Sequence, residues 1–573
     1  MFKKYFLLLT LLASILFFLP TLNYQHILSQ EDHGRDLYTF AQIAHGKHIY
    51  KDMWWEYGPL MPYYYALFDI LFGLKISSVL LGKFLLNITG CLFFYLASCE
   101  VMSVPWAFLS AFFFMLHQQD FYYTYNHSAG IVLFLMLLWL VLKYLHRGTS
   151  KIRFGALIIC LMIGFIKLNF GIAALTATLV SAVIIDRKNR DVSHFCSKSS
   201  QTKNWRRPYF FYLAGLLVVP LLWIMVYFFL LNGLNATEIN QCLPYFGNNK
   251  PFIVAPLASM TECWFRAYIP FLQDWLSFLD SLILMFQNPI QLLNPTVLLT
   301  SSLALLRLLI YPVICALIIA AWGISFTKKF KGRRLEFWLI QLILWIFIVL
   351  SSHEFIASDL WYREFWAQPF FFFFLFFMAA TAISFAPRQC RYWAGGFFIS
   401  LFILVTFNEW IMTKNACKPE NFLRAPTGQI YVGNDVDWVD TVNTVSAYLN
   451  KNLKKDELFF AMPCDSLFYY LTDKPGPSRQ TIFFNVFHIP PQQELSVIRE
   501  LEKNKVNYVL LSNRMKVNSR ELGEFGKNYC PLLYSYIMKN FTYHYRYGGN
   551  WNAPAGWANN HGVILLKRKP VEL

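Results

Sequence analysis

Charge is scarce in this chain. Only 14% of the 573 residues are Asp, Glu, Lys or Arg, against 56% hydrophobic ones. The apolar residues fall in repeated runs long enough to cross a hydrocarbon core of about 30 Å, so a water-soluble globular protein is excluded and a polytopic helical membrane protein is expected. The chain has no glycine-rich loop ending in Lys-Ser or Lys-Thr to cradle a phosphate, no paired-cysteine zinc pattern and no His-Glu-x-x-His. An ATP-driven mechanism is therefore not expected, and the energy for a reaction should come from an activated substrate already in the membrane. The eleven cysteines give no disulfide framework, since Cys91, Cys160 and Cys315 lie inside apolar spans, where a thiol behaves as a small hydrophobe. No internal repeat or low-complexity segment stands out, apart from the phenylalanine run at 370–374.

The net charge of +17 is placed in short loops. Arg187, Lys188, Arg190, Lys198, Lys203, Arg206 and Arg207 share one, and Lys328, Lys329, Lys331, Arg333 and Arg334 share another. Such loops mark a cytoplasmic face, and no basic surface interleaved with exposed aromatics suggests nucleic acid. With that rule, spans are read near 5–22, 76–99, 104–117, 128–146, 154–168, 170–185, 209–231, 296–324, 335–350, 368–386 and 394–412. These eleven spans put the N-terminus in the cytoplasm and the C-terminus outside, in what reads as a plasma (inner) membrane protein. The first is taken as an anchor, because no small-residue cleavage site precedes Asn23. Segment 58–74 is also apolar, but counting it as a span reverses every later basic loop. It is read as a helix at the outer surface, with Tyr63, Tyr64 and Tyr65 at headgroup depth.

Residues 1–415 thus form the transmembrane part, with a first outer loop at 23–75 and a larger one at 232–295. Residues 416–573 read as a separate extracytoplasmic α/β domain. There a helical pattern (Val439, Val442, Val445, Leu449) precedes apolar runs at 458–461 and 467–471, and a second helix after Pro491 sets Leu495, Ile498 and Leu501 on one face. Buried strands are expected at 508–511 and 563–566.

The densest chemistry follows the first span. Glu31-Asp32-His33-Gly34-Arg35-Asp36 puts carboxylates and an arginine beside Tyr50-Lys51-Asp52 and Glu56-Tyr57-Gly58-Pro59-Leu60. Charges at such a place must face water or a cavity. Asp120, Asn126 and His127 stand at the outer end of a later span, where they line that cavity or cap helices. Lys167 lies at another span end, and Arg266 and Arg363 lie in later outer loops.

The order of Asp32, Ala41 to Gly46, Tyr50 with Asp52, Gly58 to Leu60, and Leu71 to Gly73 resembles the first outer loop of the GT-C membrane glycosyltransferases. These include the protein O-mannosyltransferases and the bacterial aminoarabinose and related lipid-linked sugar transferases. Lys167-Leu168-Asn169 and the Tyr-Leu-Thr-Asp-Lys-Pro run at 470–475 are similar to further family segments, so the resemblance covers most of the chain. It implies sugar transfer on the outer face from a polyprenyl-phosphate donor to a hydroxyl acceptor (lipid, glycan or protein), with inversion. Asp32 matches the catalytic acidic position, with Asp36 beside it. Lys167, Arg266 and Arg363 are candidates to hold the donor phosphate, and Glu31, Tyr57, Asp120, Asn126 and His127 to line the substrate cavity. The chain departs from the family at Tyr57, where many relatives carry a lysine, so one phosphate or sugar contact that the resemblance implies does not carry over.

The chemistry agrees with those roles. A hydroxyl is a poor nucleophile that a carboxylate activates as general base, and a departing phosphate needs a cation beside it. Each residue also has a plainer role to weigh: Asp32 or Asp36 as helix cap or partner of Arg35, Lys167 snorkelling from a span end, and Arg363 paired with Glu364 or Asp359. No cofactor is implied. Some members of the wider superfamily use a divalent cation, but no fixed ligand spacing for a metal occurs here. The second function class is a transporter or flippase of a lipid-linked substrate; it would show repeated halves and midplane charges, whereas this chain gathers its polar residues at one outer face.

Overall fold

The computed structural model describes residues 2–117, 125–196, 206–243, 315–354, 365–389, 391–393, 396, 400, 417–517 and 522–570. Among these, six helices are long and apolar enough to cross a membrane: Phe2–Leu22, Ile76–Val101, Tyr125–Arg147, Leu168–Lys188, Phe210–Leu231 and Arg334–Ser351. Shorter apolar helices cover Leu60–Phe72, Val104–Leu116, Cys315–Ser325 and Gln368–Ser384. The protein is an integral membrane protein on that content. Most of the spans expected at 394–412 and at 296–324 lies outside the described residues.

Eight helices position the site. They are α1 (Phe2–Phe18), α2 (Asp32–Ala44), α3 (Leu60–Phe72), α4 (Ile76–Val101), α5 (Val104–His117), α6 (Tyr125–Arg147), α7 (Ser150–Gly164) and α8 (Leu168–Cys196). In α1 the hydroxyls of Thr10 and Ser14 donate to the carbonyls four residues back, which satisfies them where no water is at hand. At 15 residues, α7 reaches about 22 Å, less than a bilayer core. The indole of Trp223 donates to the Leu161 carbonyl at 3.0 Å and the Tyr227 hydroxyl to that of Gly164 at 2.9 Å, so the end of α7 is held by the neighbouring helix Val219–Leu231.

The 13 residues of α3 span only about 20 Å. The tyrosine run at its start divides between surface and core. Tyr63 is exposed, whereas Tyr65 is fully buried against Phe40 and Tyr125. Consecutive residues on a helix point about 100° apart, so three in a row do not face one medium.

Outside the bundle, the chain after α1 forms a two-residue strand β1 (Tyr24–Gln25), parallel to β2 (Tyr431–Val432). A four-stranded sheet follows in the C-terminal part: β3 (Phe459–Met462), β4 (Tyr508–Ser512), β5 (Phe541–Gly548) and β6 (Gly562–Arg568), in spatial order β3-β4-β6-β5. β3 and β4 are parallel, and the other pairs antiparallel. Side chains alternate across the pleat. Phe460, Met462, Val509 and Leu511 face one core with Val497, Leu501, Leu533 and Ile537, from the helices Pro491–Lys503 and Pro531–Asn540. Phe459, Ala461, Leu510 and Leu565 join Val439, Val442 and Val445 of helix Val436–Asn452 in the core that continues into α2 and the membrane helices.

The expected helices and strands of this part are present, with one difference. The helix Pro491–Lys503 buries Glu494, Val497 and Leu501, while Leu495 is exposed. The Glu494 carboxylate accepts the Leu533 N–H at 2.9 Å, within the first turn of the next helix, which turns that face inward. The run 467–471 forms a helical turn, Ser466–Leu471, packed on α2.

Candidate active site

Arg35 is the centre of the site. Its guanidinium is 1% exposed and meets three carboxylates: Asp36 at 2.9 Å, Asp32 at 3.0 Å and Glu56 at 2.6 Å. The spacing Asp32 to Arg35 is one helical turn of α2, and Glu56 arrives from the loop that returns toward α3. Trp55 and Tyr57 add their rings at 5.5 and 5.0 Å from the guanidinium carbon.

The two candidate catalytic carboxylates differ in setting. Asp36 is wholly buried, and its Oδ1 takes hydrogen bonds from both Nε and Nη2 of Arg35, at 3.1 and 2.9 Å. Burial pushes it up to about 7, against the opposing pull of Arg35. That is the arrangement of a partner that neutralises Arg35. Asp32 is one-third exposed. It is the first residue of α2, with Glu31 at the capping position and no side-chain capping bond there. Its Oδ1 accepts from Arg35 Nη1 at 3.0 Å, and its Oδ2 accepts the Trp557 indole N–H at 3.1 Å.

Glu31 points away from this cluster. It pairs with Arg514, in a buried ion pair that also sits against Cys464 and Asp465. Burial raises the Glu31 carboxyl while Arg514 lowers it, and burial likewise raises Glu56 while Arg35 lowers it. Glu31 therefore serves the joint between α2 and the C-terminal part.

Lys167 approaches from the turn between α7 and α8. It is buried, not snorkelling: its Nζ lies 2.5 Å from Glu354 Oε1 and 5.4 Å from the centre of the Tyr57 ring. Asn169 donates to the same Glu354 oxygen at 2.8 Å. Tyr57 therefore has both Arg35 and Lys167 over its ring. The reason is local: Gly58 N–H donates to the Ile166 carbonyl at 2.8 Å and Leu60 N–H to that of Phe165 at 2.9 Å, lacing the loop at 57–60 to the chain beside Lys167. His127 packs edge-on against Tyr57 at 5.0 Å and lies near Trp366 at 5.5 Å. Asn126 is buried beside it, and its side chain donates to the Ile166 carbonyl at 3.5 Å.

The structure thus brings together Asp32, Asp36, Tyr57, Asn126, His127 and Lys167. Asp120, Arg266 and Arg363 lie outside the described residues. Five participants went unnoticed as site residues in the sequence: Arg35, Glu56, Glu354, Arg514 and Trp557. Glu56 stood within the named outer-loop segment, and Glu354 beside His353. Arg514 and Trp557 come from the C-terminal part, and nothing local to them signals the site. Among the described residues, no group of three His, Cys, Asp or Glu side chains is placed to hold a metal ion.

No family model matches the chain, and no curated protein matches it. Among solved structures, it is similar to ArnT from Cupriavidus metallidurans in the apo state, with 11% identity, 97% of each chain covered and a TM-score of 0.45. It is likewise similar to that ArnT bound to undecaprenyl phosphate, with 12% identity, 97% of each chain and a TM-score of 0.45. The third is the Archaeoglobus fulgidus oligosaccharyltransferase in complex with Zn and sulfate, with 12% identity over 97% of this chain and 73% of that one, and a TM-score of 0.45.

Proposed function

We propose that this protein is an integral-membrane glycosyltransferase that moves a sugar from a polyprenyl-phosphate donor to a hydroxyl acceptor on the outer face, inverting the anomeric carbon. The observation that carries the reading is the contrast inside one cluster: Asp36 is sealed against Arg35, while Asp32 is held on both oxygens yet left partly open. A carboxylate so held accepts the proton of an acceptor hydroxyl as its oxygen attacks the anomeric carbon, a role worth about a hundredfold to ten-thousandfold in rate. The bond from that carbon to the phosphate oxygen breaks on the opposite side, and the polyprenyl phosphate leaves with the charge. Lys167, across Tyr57 from Arg35, supplies the cation for that charge by sharing itself between Glu354 and the phosphate. Arg266 and Arg363 are further candidates for this role. The order of outer-loop motifs in the sequence supports the same chemistry.

The test is lipid-linked sugar analysis in cells lacking the protein. The unused polyprenyl-phosphate sugar is expected to accumulate and to fall when the gene is restored. Unchanged pools of every such lipid would overturn the reading.

A further inference from the structure

Trp557 stands 525 residues from Asp32 in the chain, yet its indole N–H is one of the two donors on that carboxylate. The loop that carries it, residues 549–560, is tied down one carbonyl after another. Arg514 Nη1 donates to Ala555 at 3.0 Å, Gln30 Nε2 to Gly556 at 3.5 Å, Asn434 Nδ2 to Ala558 at 3.0 Å, and Asn513 Nδ2 to Asn560 at 2.7 Å. Asn560 closes the loop from within, donating to the carbonyls of Asn550, Ala553 and Pro554 at 3.1, 3.3 and 2.9 Å.

Two of these anchors also hold the stretch that leads into α2. Arg514 is the partner of Glu31, the residue before Asp32. Asn434 accepts the Leu28 N–H at 2.8 Å and donates to the Leu28 carbonyl at 2.8 Å. The same side chains therefore fix both Trp557 and the residues before Asp32, so the distance between indole and carboxylate is set from both sides.

We infer that Trp557 is a positioning residue for Asp32, contributed by the C-terminal part of the chain. This rests on the glycosyltransferase reading above. A carboxylate turns readily about its last bond, whose torsion is broad. Arg35 holds Oδ1 and Trp557 holds Oδ2, on separate oxygens, and together they stop that rotation and aim the remaining lone pairs outward. Trp557 does so without adding a charge, and its ring packs on His33 at 5.4 Å, which fixes the indole plane.

The experiment replaces Trp557 with phenylalanine and, separately, with benzothienylalanine, which keeps the bicycle and removes the N–H. Both are compared with Asp32→Asn, with the Trp557→Phe/Asp32→Asn double variant, and with Trp551→Phe, a change in the same loop away from the carboxylate. Consumption of polyprenyl-phosphate sugar is measured in membranes, and binding is measured with undecaprenyl phosphate as the probe. Both 557 variants are expected to lose about tenfold or more in rate, as befits a hydrogen bond to a charged group, with unchanged binding of the probe. The Trp557→Phe change is expected to cost nothing further in the residual activity of Asp32→Asn, and Trp551→Phe to behave as wild type. A benzothienylalanine protein as fast as wild type overturns the inference alone, as does an equal loss from Trp557→Phe in both backgrounds. A wild type that consumes no such donor overturns the glycosyltransferase reading and this role with it.

Discussion

A methyl group added at residue 58 would be built into the backbone that carries Lys167. The Cβ of Gly58→Ala would lie 2.1 Å from the Phe165 carbonyl oxygen, 2.4 Å from its carbon and 2.9 Å from the Ile166 carbonyl carbon. Comfortable contacts begin near about 3.5 Å, so the segment must retreat by roughly 1.4 Å at the closest atom. Neither neighbour is a flexible side chain that can swing aside. The retreat stretches the two hydrogen bonds that lace 58–60 to 165–166 and the bond from the Trp55 indole to the Gly58 carbonyl at 3.1 Å. Two backbone bonds at about 1 kcal/mol each, with about 1–3 kcal/mol for overpacking, give a loss of about 3–5 kcal/mol. Tyr57 moves with the segment, so its contact with Lys167 opens as well. The assay is heat-induced loss of the monodisperse protein in detergent, read beside consumption of polyprenyl-phosphate sugar. A fall of several degrees with a matching loss of turnover is expected. An alanine variant that matches wild type in both would refute the claim that this close approach holds the site together.

Lys167→Ala takes the cation away from the buried Glu354, which keeps the Asn169 donor, so it is expected to cost stability, about 1–3 kcal/mol, as well as turnover. Adding Glu354→Gln should recover the heat stability but not the turnover; recovery of both would return Lys167 to a structural role. Asp465 is fully buried, accepts a hydrogen bond from Ser512 Oγ at 2.6 Å, and is pushed by burial from 3.8 up to about 7. The folded protein thus holds that proton more tightly than the unfolded chain does. The resulting stabilisation is complete below about pH 4 and is lost as pH rises through about 7, on the order of 4 kcal/mol. Asp465→Asn should therefore flatten the fall in heat stability between about pH 5 and about pH 8, and an identical slope in the two proteins would contradict this.

Much of this architecture was legible where a local pattern carries it. Apolar runs located the six described helices long enough to cross a membrane, and the period of Val439, Val442, Val445 and Leu449 located a helix that buries all four. Strand β5 escaped notice because its residues Phe541–Gly548 are mostly exposed and offer no clean alternation; its partner β6 stabilises it. The site divides the same way. Asp32, Arg35 and Asp36 lie within one turn of α2, and their crowding of charge after an apolar span is visible in the sequence. The different settings of the two aspartates, one sealed and one partly open, are not, since they depend on how each lies relative to Arg35 and Trp557. Glu354, Arg514 and Trp557 reach the site across separations of hundreds of residues, which no periodicity or spacing encodes.

The most direct test of the central claim compares Asp32→Asn with Asp36→Asn in purified protein of matched folding. Transfer from a polyprenyl-phosphate sugar is measured, and binding of undecaprenyl phosphate is followed in parallel. Asp32→Asn should keep fold and binding while transfer falls by about a hundredfold to ten-thousandfold. Asp36→Asn, which removes a buried partner of Arg35, should lose mainly stability and keep more of its transfer per folded molecule. Normal transfer by Asp32→Asn would contradict the assignment of the base.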